Sequence, residues 1–140
     1  MGDLFNDAAR STLNWLAVGA SGVVAFMIGA VWYNPKVFGA EWMRLTGVTD
    51  AKAKGANLPL VMGGALLLTI LIAYSIARLM VRGGGWEGGA RVGLLVGAAI
   101  AFGTGVNYLF EMKPLKLWLI NGGHQLVTSV VIGAILGAWR

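Results

Sequence analysis

The stretch that decides the fold is "LNWLAVGASGVVAFMIGAVWY", residues 13–33, which contains no charged side chain. A helix that crosses the hydrocarbon core of a bilayer needs about 20 residues of this kind. Three further blocks meet the same requirement, at residues 58–81, 92–110 and 115–139. The sequence therefore predicts an all-α protein, a bundle whose four transmembrane helices are these blocks.

The composition points to the same environment. Hydrophobic residues make up 57% of the 140 residues and charged residues 12%, whereas a soluble domain carries about a quarter charged residues. Cysteine is absent, which excludes disulfides and thiolate metal sites. The basic residues lie at the ends of the apolar blocks and not along one face, so no nucleic-acid partner is expected. We predict a multi-pass membrane protein that contacts membrane lipids and needs no cofactor.

The four spans are predicted to form two helical hairpins within one integral membrane domain, residues 1–140. Hairpin one covers residues 13–81 and hairpin two covers residues 92–139. Spans two and four share the related runs "LVMGGALLLT" (60–69) and "LINGGHQLVT" (119–128), and spans one and three also align without a gap. These matches favour a parallel internal duplication, with the hairpins related by an axis along the membrane normal. The basic residues are nearly balanced between the two faces, so the positive-inside rule leaves the orientation open.

Small side chains recur every four residues in spans one and three. The rows are Ala17, Ser21, Ala25 and Gly29 in span one, and Gly93, Gly97, Ala101 and Gly105 in span three. Lipid supplies no hydrophobic drive for helix association, so small residues that let backbones approach mark packing faces. With these rows used inside the monomer, Gly133 and Gly137 in span four would remain for a partner. We therefore expect a homo-oligomer or a complex with other membrane subunits.

The first loop is predicted to hold a short amphipathic helix, residues 35–47, on the membrane surface. Asn34 precedes Pro35, and a residue before proline avoids the α region, so span one ends here. Apolar residues then recur at helical spacing until Gly47. Aromatic rings favour the depth of the membrane interface, and the predicted interfacial anchor consists of Trp32, Tyr33, Asn34, Phe38 and Trp42. The alternative is a lid over a site on that face.

Polar side chains occur at helical spacing in the second hairpin alone. Span three carries Thr104, Asn107, Tyr108 and Glu111, and span four carries Asn121, His124, Gln125 and Thr128. In each span these residues fall at i, i+3, i+4 and i+7, which is one face of a helix. The spans run antiparallel through a tight turn, so the two sets can face each other. We call these eight residues the polar seam, and they are the candidate site because polar groups inside a bilayer are costly and often functional.

The polar seam has two interpretations. It is either an interhelical hydrogen-bond cluster, worth about 1 kcal/mol per contact, or a path for a proton or small solute in which His124 takes part. A single histidine without a nearby acid, cysteine or second histidine forms no metal site within one chain, and no catalytic set is predicted. Arg78 and Arg82, at the end of span two, are expected to contact lipid phosphates.

Two runs carry a resemblance to a known family. "WYNPKVFGAEWMRLTG" (32–47) and "NYLFEMKPLKLWLINGGHQL" (107–126) resemble the bacterial family catalogued as domain of unknown function 1761. The resemblance implies a small four-span membrane protein, expected in the bacterial inner membrane. It brings no reaction, ligand or catalytic residue with it.

Three functions follow as expectations. The first is a non-enzymatic oligomeric or accessory module of a membrane complex, because packing residues outnumber chemical ones. The alternative is a small proton- or cation-linked transporter or channel that uses the polar seam. Its four-span size resembles small multidrug transporters, although span one lacks the embedded glutamate on which their proton coupling depends. A membrane-embedded enzyme is the third and weakest hypothesis.

Overall fold

The computed structural model describes residues 13–80 and 84–139. Six α-helices lie in these ranges, and no strand does. They are α1 (Trp15–Trp32), α2 (Ala40–Thr46), α3 (Asp50–Gly55), α4 (Leu58–Leu79), α5 (Gly85–Phe110) and α6 (Leu115–Ala138). A π-helical turn, Pro35–Gly39, joins α1 to α2. The prediction of an all-α protein is thereby confirmed.

Four of these helices, α1, α4, α5 and α6, are long and apolar enough to cross a membrane. They correspond to the four predicted spans, so the prediction of a four-span protein is confirmed. The third span begins earlier than predicted, at Gly85 and not at residue 92. The added turns pack closely against the end of α6. Gly89 lies against the backbone of Gly133, and Gly85 lies against Gly137, so no side chain separates the two helices there.

The start of α1 and the end of α6 meet on one face of the bundle. The Asn14 side chain caps α1 by accepting a hydrogen bond from the Ala17 N–H at 3.0 Å. Its amide nitrogen also donates to the carbonyl oxygen of Trp139 at 2.9 Å. A single side chain therefore fastens the start of α1 to the end of α6.

The interface between α5 and α6 is built from glycine backbone. A Cβ atom on Gly93 would overlap the carbonyl oxygen of Ser129, and one on Gly133 would overlap the carbonyl oxygen of Gly89. Gly137 is in the same position against Gly85. The expectation that Gly133 and Gly137 remain for a partner is wrong, because both lie inside the monomer against α5. In lipid, such close approach supplies the dispersion contacts that hold helices together.

The helix α4 packs on α1 and α6 through its C-terminal half only. Ala73, Ile76 and Ala77 are buried there, in a core that includes Val18 and Ile132. The N-terminal half is different: residues 58–63 are all exposed, and a Cβ on Gly63 or Gly64 would meet nothing within 4 Å. The corresponding pair in α6, Gly122 and Gly123, faces Trp118 and Trp32. The two hairpins are thus packed differently, and the internal duplication stays a prediction.

The predicted helix in the first loop is present as two joined elements. Asn34 caps the π-helical turn by accepting a hydrogen bond from the Lys36 N–H at 2.9 Å. The Gly39 N–H donates to the Asn34 carbonyl, also at 2.9 Å, and α2 follows directly. Gly47 ends α2 in a left-handed conformation with φ of 73°, which glycine adopts without steric cost.

Candidate functional site

The structure joins the polar seam across α5 and α6 at two points. The Thr104 hydroxyl lies 2.9 Å from the Ile100 carbonyl of its own helix and 3.3 Å from Oε1 of Gln125. The side-chain nitrogen of Asn121 donates to the Tyr108 hydroxyl at 2.7 Å. Four of the eight predicted residues are therefore brought into contact between the two spans.

A residue that the sequence assigned to the membrane interface also belongs to this network. The Tyr33 hydroxyl donates to Oδ1 of Asn121 at 2.7 Å. Together with the Asn121–Tyr108 bond, this makes a continuous Tyr33–Asn121–Tyr108 bridge that ties α1, α6 and α5 together. Sequence reasoning missed Tyr33 because an aromatic residue at the end of a span is typical of the interface.

We predict a measurable coupling across this bridge. The variants Tyr33→Phe and Asn121→Leu each remove one end of the same hydrogen bond, and interhelical bonds in lipid are worth about 1 kcal/mol. A double-mutant cycle on the free energy of unfolding in bicelles should therefore give a coupling of about 1 kcal/mol between the two positions. Asn107→Leu, a change at an exposed position of α5, is the matched control and should leave stability unchanged. A coupling of zero would mean that the bridge contributes nothing.

The other residues of the polar seam make no hydrogen bond between α5 and α6 in the described part of the chain. Asn107 lies about 100° around the helix from Tyr108, and its side chain is exposed. Glu111 is exposed and pairs with Lys113 at 2.8 Å, and this hydrogen bond raises the pKa of the Lys113 ammonium. The Thr128 hydroxyl donates to the His124 carbonyl within α6 at 2.7 Å. The continuous seam predicted from spacing is therefore replaced by a shorter cluster.

The predicted interfacial anchor packs on itself. The ring of Trp32 lies 4.8 Å from that of Phe38, and the ring of Tyr33 lies 5.7 Å from that of Trp42. Trp32 also turns inward, and its Nε1 donates to the Ile120 carbonyl of α6 at 3.0 Å. These contacts attach the first-loop helix to the bundle, and its place on the membrane surface stays a prediction.

An ion-pair network adds to this attachment. Glu41 of α2 pairs with Arg44, and the Lys116 ammonium of α6 lies 3.0 Å from the Glu41 carboxylate. The hydrogen bonds from Arg44 and then Lys116 lower the pKa of Glu41 to about 2. Arg78 is exposed at the end of α4, where lipid phosphate contact stays a prediction, and Arg82 lies outside the described residues.

A cavity of about 530 Å³ lies between α1, α4 and α6. Its walls are mainly apolar, with Phe26 from α1, Ile72 from α4 and Ile132 from α6. The helix α5 contributes Ile100 alone. The cavity exists because the N-terminal half of α4 makes few contacts with the rest of the bundle.

The cavity has a polar end next to the Tyr33–Asn121–Tyr108 bridge, formed by Tyr33, His124 and Gln125. Three further lining residues carry hydroxyl groups, and they are Thr69, Thr128 and Ser129. The His124 ring lies 5.1 Å from the Tyr33 ring, centroid to centroid. Its Nε2 atom is buried and has no hydrogen-bond partner among the described residues. The Nε2 atom lies against Gly29: a Cβ added to Gly29 would be 3.1 Å from it.

Gln125 has hydrogen-bonding capacity left over as well. Its Oε1 accepts from Thr104, while its side-chain nitrogen has no partner within residues 13–80 and 84–139. The cost of an unsatisfied buried polar group, about 1–3 kcal/mol, applies here to Nε2 of His124, which is the buried atom without a partner in the described ranges. The end of the cavity therefore presents hydrogen-bonding groups that the protein itself does not satisfy.

Over the described part of the chain, no three His, Cys, Asp or Glu side chains cluster in a way that would hold a metal ion. The site is defined instead by a polar end, without Asp, Glu, Lys or Arg, on an apolar cavity.

Comparison with known proteins gives one match. A family model described as "Protein of unknown function (DUF1761)" matches residues 16–137. No curated protein and no solved structure matches the chain. The match covers all four spans and the first-loop helix.

Proposed function

The chain belongs to the DUF1761 family, whose description assigns no activity, and we propose that it is a non-enzymatic membrane module that binds a small solute in the cavity between α1, α4 and α6. The observation that carries the proposal is the buried Nε2 of His124, which has no partner within the described ranges and borders the cavity. Polar atoms inside a bilayer are normally paired, and those that are not mark sites of function.

The shape of the cavity supports binding in preference to conduction. Tyr33 closes the end next to the first loop through its bond to Asn121. At the opposite end Ile132 packs into the core with Val18 and Ile76. We place the access route between α4 and α5, which make few contacts with each other. A solute would therefore reach the cavity from the bilayer.

The cavity lining also supports a binding role over catalysis. His124 is the one imidazole among the described lining residues, and none of them is Asp, Glu, Lys or Arg. General acid–base catalysis needs a positioned donor and acceptor with matched pKa values, and a lone imidazole supplies one of the two.

A small proton- or cation-linked transporter is the second candidate. The feature that favours it is the Thr104–Gln125 contact, which connects the cavity with α5. In this version a titrating His124 would couple proton movement to the release of the solute.

An oligomeric or accessory role is compatible with solute binding and has its own support. The exposed N-terminal half of α4 carries Gly63 and Gly64, beside which a Cβ would meet nothing within 4 Å. A helix of a second copy or of another subunit could approach there as closely as α5 approaches α6. As part of the same proposal, we place the protein in the inner membrane of a bacterium.

Photolabelling in reconstituted vesicles tests the solute-binding proposal. The probes are ten-carbon alkyl diazirines with a hydroxyl, carboxylate or quaternary ammonium head, and the crosslinked peptides are identified by mass spectrometry. At least one probe should label peptides that line the cavity. Ala65→Trp fills the cavity and should reduce this labelling by about tenfold, as expected for the loss of roughly 1.4 kcal/mol of binding free energy.

The matched control is Leu68→Trp, which adds the same ring to an exposed position of α4 that does not line the cavity. Its labelling should equal that of the unmodified protein. Equal labelling in the Ala65→Trp variant would show that the probes react only from the lipid and would overturn the proposal.

A further inference from the structure

We infer that the ligand of this cavity is an uncharged, largely apolar molecule that carries a single hydroxyl or carbonyl group at one end. This inference rests on the proposed function, since it assumes that the cavity binds a solute. It goes further in assigning the chemical class of that solute from the distribution of polar atoms in the cavity wall.

The body of the ligand is determined by the size and the walls of the cavity. A volume of about 530 Å³ lies within the range of small-molecule sites, about 300–1,000 Å³. Phe26, Ile72, Ile100 and Ile132 form an apolar surface from all four membrane-spanning helices. An alkyl, isoprenoid or aromatic body buries its surface against these side chains and makes no demand for hydrogen bonds.

The head of the ligand is determined by the groups left unpaired at the polar end. Gln125 presents its NH2 group as a donor, because its oxygen already accepts from Thr104. The neutral imidazole of His124 presents a nitrogen with no partner among the described residues. Tyr33 has committed its proton to Asn121, so its oxygen can only accept. A hydroxyl on the ligand can accept a hydrogen bond from Gln125 and donate one to an imidazole nitrogen. A carbonyl on the ligand can only accept hydrogen bonds.

The charge of the ligand follows from the absence of a counter-ion. None of the described residues that line the cavity is an Asp, Glu, Lys or Arg. An ion held in an apolar, membrane-embedded cavity without an opposite charge loses its hydration and gains no ion pair. Carboxylate and ammonium heads are therefore disfavoured, and a neutral head is selected.

Entry from the bilayer agrees with this class of ligand. The cavity is lined by α4 at Met62 and Ala65 and by α5 at Ile100, and we place its entrance between these two helices, which make few contacts with each other. Molecules that enter here must first dissolve in the bilayer. Neutral amphipathic molecules do so, with their polar ends near the interface, which is the depth predicted for Tyr33.

Competition against photolabelling tests the inference. The unmodified protein in phosphatidylcholine vesicles is labelled by the hydroxyl-headed probe in the presence of decanol, decane, decanoate or decyltrimethylammonium, each at a matched mole fraction in the membrane. Decanol should displace the probe at a mole fraction at least about tenfold lower than the other three, because a site built for a hydroxyl rejects analogues that lack it. Dioctanoylglycerol, added in a separate arm, distinguishes a membrane glyceride with the same hydroxyl from a single-chain solute.

Two variants show whether the advantage comes from the assigned groups. His124→Leu and Gln125→Leu should bring decanol to the level of decane while leaving displacement by decane unchanged, which shows that the cavity is still folded. Asn107→Leu, at an exposed position outside the cavity, should retain the full advantage of decanol.

The outcomes separate this inference from the proposal beneath it. If decane competes as well as decanol in the unmodified protein, the hydroxyl class is wrong while binding in the cavity stands. If decyltrimethylammonium or decanoate competes best, the neutral class is wrong. If labelling is insensitive to Ala65→Trp, the proposed function itself has failed.

Discussion

Replacing Gly93 with alanine is expected to separate α5 from α6 and to lower the free energy of unfolding by about 3 kcal/mol, the upper part of the usual range for overpacking. The added Cβ would overlap the Ser129 carbonyl oxygen and would lie 2.8 Å from its carbonyl carbon and 3.0 Å from the Val130 Cα. All of these are backbone atoms of a helix. No side-chain rotation relieves the contact, so the helices themselves must move.

The effect should extend to the candidate site, because the same interface carries its hydrogen bonds. The Thr104–Gln125 and Asn121–Tyr108 bonds both cross from α5 to α6. Once the helices separate, neither bond keeps its length. Labelling of the cavity should therefore fall along with stability in the Gly93→Ala variant.

The control for this prediction is Gly103→Ala on the same helix. A Cβ at Gly103 would meet nothing within 4 Å, and alanine is favoured over glycine in a helix by up to about 1 kcal/mol. This variant should be as stable as the unmodified protein or slightly more so. Both free energies can be measured by steric trapping in bicelles. If the two variants unfold with the same free energy, the glycine-mediated interface is not what holds the hairpin together.

Replacing Gly39 with alanine should detach the first-loop helix from the bundle. The new Cβ would overlap the Tyr33 carbonyl oxygen and would lie 2.7 Å from the Tyr33 carbonyl carbon and 2.8 Å from that of Asn34. The π-helical turn must open to relieve this overlap, and backbone strain of this kind costs about 2 kcal/mol. The Trp32–Phe38 and Tyr33–Trp42 ring contacts would be lost with it, since they depend on how the turn directs α2.

Hydrogen exchange followed by mass spectrometry measures this effect directly. Amides in residues 34–47 should lose protection in Gly39→Ala, while those in the middle of α5 and α6 should keep theirs. Gly55→Ala in α3, where a Cβ would meet nothing within 4 Å, is the matched control and should exchange like the unmodified protein. Unchanged protection at residues 34–47 in Gly39→Ala would contradict the structural role of the turn.

The conspicuous run "WYNPKVFG" at residues 32–39 has a physical explanation in these contacts. Trp32 and Tyr33 reach α6 by hydrogen bonds, Asn34 caps the turn, and Gly39 leaves room for the Tyr33 carbonyl. The run is therefore a joint between a membrane span and the helix that follows it. Its Tyr33 also belongs to the wall of the candidate site.

Sequence alone determined the four spans of this protein and the place of the helix in its first loop. The four spans follow from the length and hydropathy of single stretches, because a bilayer requires about 20 apolar residues for each crossing. The end of α1 at Asn34-Pro35 and the end of α2 at Gly47 follow from backbone preferences of those residues. The family resemblance, confirmed by the match over residues 16–137, depends on the same local runs.

Only the tertiary structure decided which faces of the spans meet. It placed Gly133 inside the monomer, brought Tyr33 to Asn121, left Asn107 exposed and opened the cavity beside His124. In a soluble protein the hydrophobic side of a helix reveals which face is buried. Spans that are apolar all round carry no such signal, because lipid and helix neighbours favour the same side chains. Their contacts are set instead by the close fit of four helices at once, which no single stretch of the sequence contains.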